Sequence, residues 1–180
     1  LSASINDDTI AWYENDGDEN FTKRIITSSA DGAIHVYAED IDSDGDMDIL
    51  SASYQDDTFS WYENDGNESF TERVISTSFD VPFEIHVEDL DYDGDLDIIT
   101  ASVGDGTIAW FENDGDENFT QHIVSNTANG VNSIYVVDVD GDGDLDVFSS
   151  GSDDVVGWYE NDGSESFTEH IISTSADLPL

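Results

Sequence analysis

The chain of 180 residues has no cysteine, two prolines, one methionine and only three basic residues, Lys23, Arg24 and Arg73. Without cysteine there are no disulfide staples, no thiolate metal ligands and no thiol redox chemistry. No apolar run is long enough for a membrane-spanning helix, and no leader pattern is visible. The chain opens at Leu1 inside an expected strand, so it reads as a mature or trimmed segment. Against the three basic residues stand 44 acidic ones, for a formal charge of −41. Such a surface excludes nucleic acid and membrane insertion as partners and attracts cations and basic groups. It also repels itself, which penalises a compact state unless salt or divalent ions screen it. A saline, calcium-rich exterior meets both needs, and the expected location is secreted or at a cell surface.

Much of the acid is patterned. Three loops repeat at intervals of 49 residues: Asp40-Ile-Asp42-Ser-Asp44-Gly45-Asp46-Met-Asp48, Asp89-Leu-Asp91-Tyr-Asp93-Gly94-Asp95-Leu-Asp97 and Asp138-Val-Asp140-Gly-Asp142-Gly143-Asp144-Leu-Asp146. Five carboxylates within nine residues repel one another strongly unless a cation holds them. Side-chain oxygens at positions 1, 3 and 5, a glycine at 6 and a closing acid form a calcium-loop pattern. The expected ligands are the side chains of Asp40, Asp42 and Asp44, the carbonyl of Asp46, and Asp48 closing the site bidentately. The same roles fall to Asp89, Asp91, Asp93, Asp95 and Asp97, and to Asp138, Asp140, Asp142, Asp144 and Asp146, giving three Ca²⁺ sites. A solvated acidic turn is the plain alternative, and three identical spacings weigh against it. Three divalent ions offset only six charges, so the remaining acidity belongs to the surface.

A second repeat frames the first. Trp12-Tyr-Glu-Asn-Asp-Gly17 recurs from Trp61, Trp110 (with Phe111 in place of Tyr) and Trp158. Self-similarity at this period signals a duplicated structural unit. Each unit reads as four short strands, placed in one copy at Glu84–Leu90, Asp97–Ser102, Thr107–Asn113 and Thr120–Asn126. The third alternates, with Ile108, Trp110 and Glu112 on one face and Ala109 and Phe111 on the other. Asn-Asp-Gly after it is hairpin-turn chemistry, and Pro82 and Pro179 fall between units. Four antiparallel strands in under 50 residues predict an all-β fold, a β-propeller of four-stranded blades. The blades run approximately over 1–30, 31–79, 80–128 and 129–177. The first lacks its inner strand and its Asp loop, so the ring is incomplete. A homo-oligomer that completes the ring and a longer parent chain are the two expectations this leaves.

The Asp-x-Asp-x-Asp-Gly-x-x-Asp loop between two blade strands resembles the FG-GAP repeats of integrin α-subunit propellers. Asp138-Val-Asp-Gly-Asp-Gly-Asp-Leu-Asp146, followed by Trp158-Tyr-Glu-Asn-Asp-Gly163, is similar to bacterial secreted proteins of the FG-GAP/VCBS type. The resemblance covers essentially the whole chain. It implies a calcium-stabilised extracellular propeller that acts as a binding or adhesion scaffold for protein or carbohydrate. An auxiliary propeller of a polysaccharide-active enzyme, or a structural element of an extracellular assembly, is the alternative role.

No enzyme is expected in these residues. Acids abound, but a catalytic dyad needs one carboxyl in an apolar setting, and the acids here lie in turns and loops. The Trp-Tyr-Glu-Asn-Asp-Gly motif reads as core packing plus a turn more readily than as a sugar platform. His35, His86 and Tyr135 are expected on first strands facing a central channel. His122 and His170 occupy the fourth-strand position of Arg24 and Arg73, where they offset local acid.

Overall fold

A computed structural model describes residues 1–164 and 166–176. Among the described residues all regular structure is strand. Blade I is a three-stranded sheet of β1 (Ser2–Ser4), β2 (Thr9–Asn15) and β3 (Phe21–Thr27). Blade II comprises β4 (Ala33–Glu39), β5 (Asp48–Ser53), β6 (Thr58–Asn64) and β7 (Phe70–Ser76). Blade III comprises β8 (Pro82–Glu88), β9 (Asp97–Ser102), β10 (Thr107–Asn113) and β11 (Phe119–Ser125). Blade IV comprises β12 (Val131–Val137), β13 (Asp146–Gly151), β14 (Val156–Asn161) and β15 (Phe167–Ser173). Each blade is an antiparallel meander in chain order, and the first has three strands, as the sequence register requires.

The blades stack through their faces. Alternation along β10 sends Ile108 and Trp110 into the core shared with blade IV and Ala109 and Phe111 into the core shared with blade II. The strand β9 is buried along its whole length because both of its faces meet a neighbour. The inner strands β4, β8 and β12 lie against one another in succession, and β1, the counterpart of β5 in its blade, lies against β4. The outer strands are exposed, and each pairs with its inner neighbour through a register shift at the same place, as between Phe59 and Ser60 and between Ile108 and Ala109. A bulge twists an open edge away from further pairing.

Three details differ from the sequence reading, the smallest being β11, which runs one residue earlier than expected, over Phe119–Ser125. The inner strand of blade III runs from Pro82 to Glu88, two residues earlier than expected. Leu90 has already left the ladder: its N–H donates to Asp97 Oδ2 at 3.0 Å and its side chain is buried between blades. Pro82 is therefore inside an element, as the first residue of β8 opposite Ser102. A proline at the start of a strand costs no interior ladder bond. Pro179 lies outside the described residues.

Candidate metal centre

Each Asp loop joins the first and second strands of a blade, and the chain turns there because position 6 adopts a conformation closed to most side chains. Gly45, Gly94 and Gly143 have φ of 98°, 102° and 106°. Nothing crowds a Cβ at these positions, so dihedral strain and not space requires glycine. Inside the first loop, Gly45 N–H donates to Asp40 Oδ2 (3.0 Å), Asp44 N–H to Asp42 Oδ1 (3.2 Å) and Asp46 N–H to Asp44 Oδ1 (2.8 Å). The second loop repeats all three bonds, from Gly94 to Asp89, Asp93 to Asp91 and Asp95 to Asp93. In the third, Gly141 N–H adds a bond to Asp138 Oδ1 at 2.7 Å.

In the first two loops these bonds use one oxygen of each carboxylate, whereas in the third Asp138 accepts on both oxygens, from Gly141 and from Gly143. Asp40, Asp42 and Asp44 each bring one oxygen to within 4.8 Å of the others. So do Asp89, Asp91 and Asp97, and Asp138, Asp140 and Asp146. Asp40 Oδ1 and Asp89 Oδ1 are buried without a hydrogen-bond partner. A buried acceptor left unpaired is costly, and a cation in the loop would satisfy it. The donor set is all oxygen, which suits a hard ion such as Ca²⁺. The residues present therefore fit the ion that the sequence pattern implies.

The ninth residue of each loop has a second task. Asp48, Asp97 and Asp146 are fully buried at the start of the second strand. Asp48 accepts Ile41 N–H on Oδ2 (3.3 Å) and Asn64 N–H on Oδ1 (2.8 Å). Asp97 accepts Leu90 and Asn113, and Asp146 accepts Val139 and Asn161, in the same way. One carboxylate thus pins the start of the Asp loop to the Asn-Asp-Gly turn. A bidentate grip on an ion must share both oxygens with the main chain. Asp97 and Asp146 still contribute to their oxygen clusters, whereas in the first loop Asp44 takes that place. Burial raises Asp48 to about 6 and Asp97 to about 7, against the opposing pull of the main-chain bonds. Asp42 and Asp91 are also raised, first by burial.

The two repeated motifs meet at one rim. Asn64 Nδ2 donates to Met47 O, as Asn113 does to Leu96 O and Asn161 to Leu145 O. The carboxylates of Asp46, Asp95 and Asp144, expected to serve through their carbonyls, lie against Gly66, Gly115 and Gly163 of the turn. A Cβ on Gly115 would stand 2.5 Å from Asp95 Oδ2 and make that carboxylate swing away, while the φ of 74° itself favours glycine. The asparagine, present in every copy, was the sequence signal for this junction.

Trp61 and Trp110 are core residues, and their cross-strand partners are the fourth-strand cations and histidines. Arg73 lies 5.1 Å over the Trp61 ring, and His122 and His170 stack on Trp110 and Trp158 at 4.6 and 4.5 Å. Each also bonds the glutamate two residues after the tryptophan: Arg24 to Glu14, Arg73 to Glu63, His122 to Glu112 and His170 to Glu160. The arginines offset the acid on the third strand in blades I and II, and the histidines make the equivalent hydrogen bonds in blades III and IV. In a fourth oxygen cluster, of Asp42, Glu63 and Glu117 at the seam between blades II and III, Arg73 bridges Glu63 and Glu117 and offsets one of the three charges.

The inner-strand histidines fall differently. Tyr37, His86 and Tyr135 form the ladder across β4, β8 and β12, with ring centroids 6.4 and 6.2 Å apart. His35 sits two residues earlier, at the position of Glu84 and Ser133, beyond the bulge between Ala33 and His35. Counting from the Asp loop, and not matching residue types, gives this register. Burial lowers both His35 and His86.

A family model described as "FG-GAP-like repeat" matches residues 1–51, 40–100 and 89–149. No curated protein matches the chain. Among solved structures, the fold is similar to that of a lectin from Agrocybe aegerita, described as specifically recognising non-reducing terminal N-acetylglucosamine. The TM-score is 0.60 at 19% identity, over 92% of this chain and 47% of the lectin. The chain thus spans about half the length of that neighbour.

Proposed function

The chain belongs to the FG-GAP-like repeat family, and on that footing we propose that it is a calcium-stabilised extracellular propeller, a binding scaffold for carbohydrate or protein. The observation that carries the calcium reading is the pair of buried, unpartnered carboxylate oxygens on Asp40 and Asp89, each within a cluster of loop oxygens. Bound there, calcium supplies positive charge that lets several carboxylates stay ionised side by side. The chain's own residues do the rest. Asp48, Asp97 and Asp146 hold the loops against the turns, and Gly45, Gly94 and Gly143 let the main chain double back. Affinity in the range of about 10⁻⁴–10⁻³ M, typical of extracellular modules, suits this role.

The binding role draws support from the lectin neighbour and from the blade architecture, which gathers Asp loops and Asn-Asp-Gly turns along a polar rim. No catalysis is assigned to these residues. The two carboxyls raised furthest, Asp48 and Asp97, are fully buried and engaged by main-chain bonds. Melting of chelator-stripped protein with and without added calcium tests the first half of the reading; an unchanged midpoint rejects it. A glycan array on calcium-loaded protein tests the second, and binding that vanishes with chelator is the expected outcome. Uniform silence on the array moves the ligand to protein.

A further inference from the structure

The three internal seams share one frame and fill it differently. At the first, Ala30 from the linker between blades shares a core cluster with Tyr62, and both Ser60 Oγ (3.0 Å) and Tyr62 OH (3.2 Å) donate to Glu72. At the second, the equivalent positions hold Phe79, Ala109, Phe111 and Gln121. There Phe79 packs edge to face on Phe111, with centroids 6.0 Å apart. The third has Ala128, Gly157, Tyr159 and Glu169. It keeps the tyrosine and the acid of the first seam, but lacks both the serine that closes that seam and the phenylalanine that fills the second.

A cavity of about 160 Å³ lies at this third seam, between the linker that follows β11 and the strands β13, β14 and β15. A Cβ on Gly157 would stand 3.2 Å from both Ser149 Oγ and Tyr159 OH, so the missing serine side chain belongs beside those two hydroxyls. Tyr159 and Ser149 are buried, at 2% and 7% exposure, and their oxygens meet only at 3.5 Å, beyond the usual range of such bonds. Glu169, exposed at the mouth, accepts Thr127 Oγ1 at 3.4 Å. Ala128, Val155 and Ile171 give the cavity apolar walls, and Asp153 adds a second carboxylate. Every lysine and arginine of the chain lies in blades I and II, so neither blade that forms the cavity has one to place in it.

We infer that this cavity binds a primary alkylammonium group, of the kind carried by a lysine side chain or a free diamine. An ammonium has three donors and no acceptor, and Tyr159 OH, Ser149 Oγ and the Glu169 carboxylate offer it three acceptors. Its bond to Glu169 is charge-assisted and therefore the strongest of the three. The aliphatic stem lies along Ala128, Val155 and Ile171 while the charged head reaches the acid, as long basic side chains commonly do. A bare metal ion would leave the apolar walls uncovered, and an anion would meet two carboxylates. The acidic surface around the mouth draws basic partners toward it. In naming a partner chemistry the inference rests on the scaffold reading; the cavity itself rests on the seam alone.

Titration of the calcium-loaded, isotope-labelled chain with n-butylammonium, followed by NMR, tests this. In about 0.15 M salt the Debye length is about 8 Å, which screens diffuse attraction by the acidic surface. Shifts are expected at the amides of Gly157 and Tyr159, with n-butanol binding at least about tenfold more weakly. Glu169→Gln removes the charge at an exposed position, and Gly157→Ser restores the closure of the first seam; each should weaken binding at least about tenfold. Glu72→Gln, at the closed seam, should leave binding unchanged. Melting scans establish that the variants are folded, and Glu169→Gln carries the test if Gly157→Ser is not. N-acetyl-lysine methylamide and putrescine separate the two sources: tighter binding of the first supports a site for protein lysine, of the second a site for free diamine. Absence of shifts at Gly157 and Tyr159 overturns the inference. So does butanol that binds as well as the amine, or a folded Glu169→Gln variant that binds like the wild type. The probe is neither glycan nor protein, so such a failure leaves the scaffold reading standing, and a silent glycan array leaves the cavity's role standing.

Discussion

Blades I and III are written in almost the same words and live in different surroundings. Trp12 and Trp110 open the same motif, yet Trp110 is buried and Trp12 is half-exposed. Tyr13 stands in solvent where Phe111 is enclosed. Asn113 is buried with its N–H on Asp97 and its amide on Leu96, while Asn15, with no Asp loop beside it, is exposed. A blade of this kind therefore takes its stability from three sources outside its own hairpins: the preceding blade, the following blade and its Asp loop. Blade III has all three. Among the described residues, blade I packs against the following blade alone.

That contrast can be broken by substitution. Trp110→Ala should destabilise the protein most, by about 3–5 kcal/mol, because it empties a site enclosed by two blades. Trp12→Ala should cost less than half of that, and denaturant midpoints of the two variants compare them directly. Equal losses would mean that the motif, and not its neighbours, sets the stability.

Next in size is the buried pin. Asp97→Ala leaves the N–H groups of Leu90 and Asn113 without acceptors, at about 1–3 kcal/mol each. Asp97→Asn keeps an oxygen for one of them and should lose roughly half as much. Hydrogen exchange at those two amides should accelerate in the Ala variant, while the amides of Ile41 and Asn64 in blade II stay protected.

The ion-free protein should also respond to pH. Burial lifts Asp48 to about 6 and Asp97 to about 7 from an ordinary 3.8. The folded state thus favours the protonated carboxyls, and this contribution is complete below about pH 3.8 and lost as pH rises through 6 to 7. In chelator, the melting temperature should fall between pH 5 and pH 8. Calcium, which favours the ionised carboxylates, should flatten or reverse that slope. A chelated protein that melts higher at pH 8 than at pH 5 would contradict the assignment.

The smallest effect belongs to the outer strand. Arg73 bridges Glu63 and Glu117 across a seam and covers Trp61, but it is largely solvated. Screening limits such a pair, so Arg73→Ala should cost about 1 kcal/mol or less and lose most of that in high salt. Arg24, bonded to Glu14 at the end of the stack, should matter less than Arg73.

The fold was legible because its signals are periodic. The tryptophan spacing, the Asp loops and the alternation of Ile108, Trp110 and Phe111 each specify strands and faces independently. The frame was legible as well, since the first Asp loop comes only after the first tryptophan motif and leaves blade I one strand short. What escaped were roles that depend on contacts between distant residues. Asp48, Asp97 and Asp146 look like further ligands in a run of acids, and only the fold reveals the asparagine N–H waiting at Asn64, Asn113 and Asn161. Asp46 is expected to serve through its carbonyl, and the contact of its side chain with Gly66 is visible only in the fold. The pairing of His35 with His86 matched residue type across a bulge, while the ladder follows distance from the loop and runs through Tyr37.

The central claim is that the Asp loops hold calcium and that the ion is part of the fold. Calorimetric titration of calcium into chelator-stripped protein tests it most directly. The account predicts three ions per chain, one for each of the loops beginning at Asp40, Asp89 and Asp138, with one ion lost when Asp89 and Asp91 are both replaced by Asn. Absence of binding heat, together with a melting temperature indifferent to calcium, would contradict it.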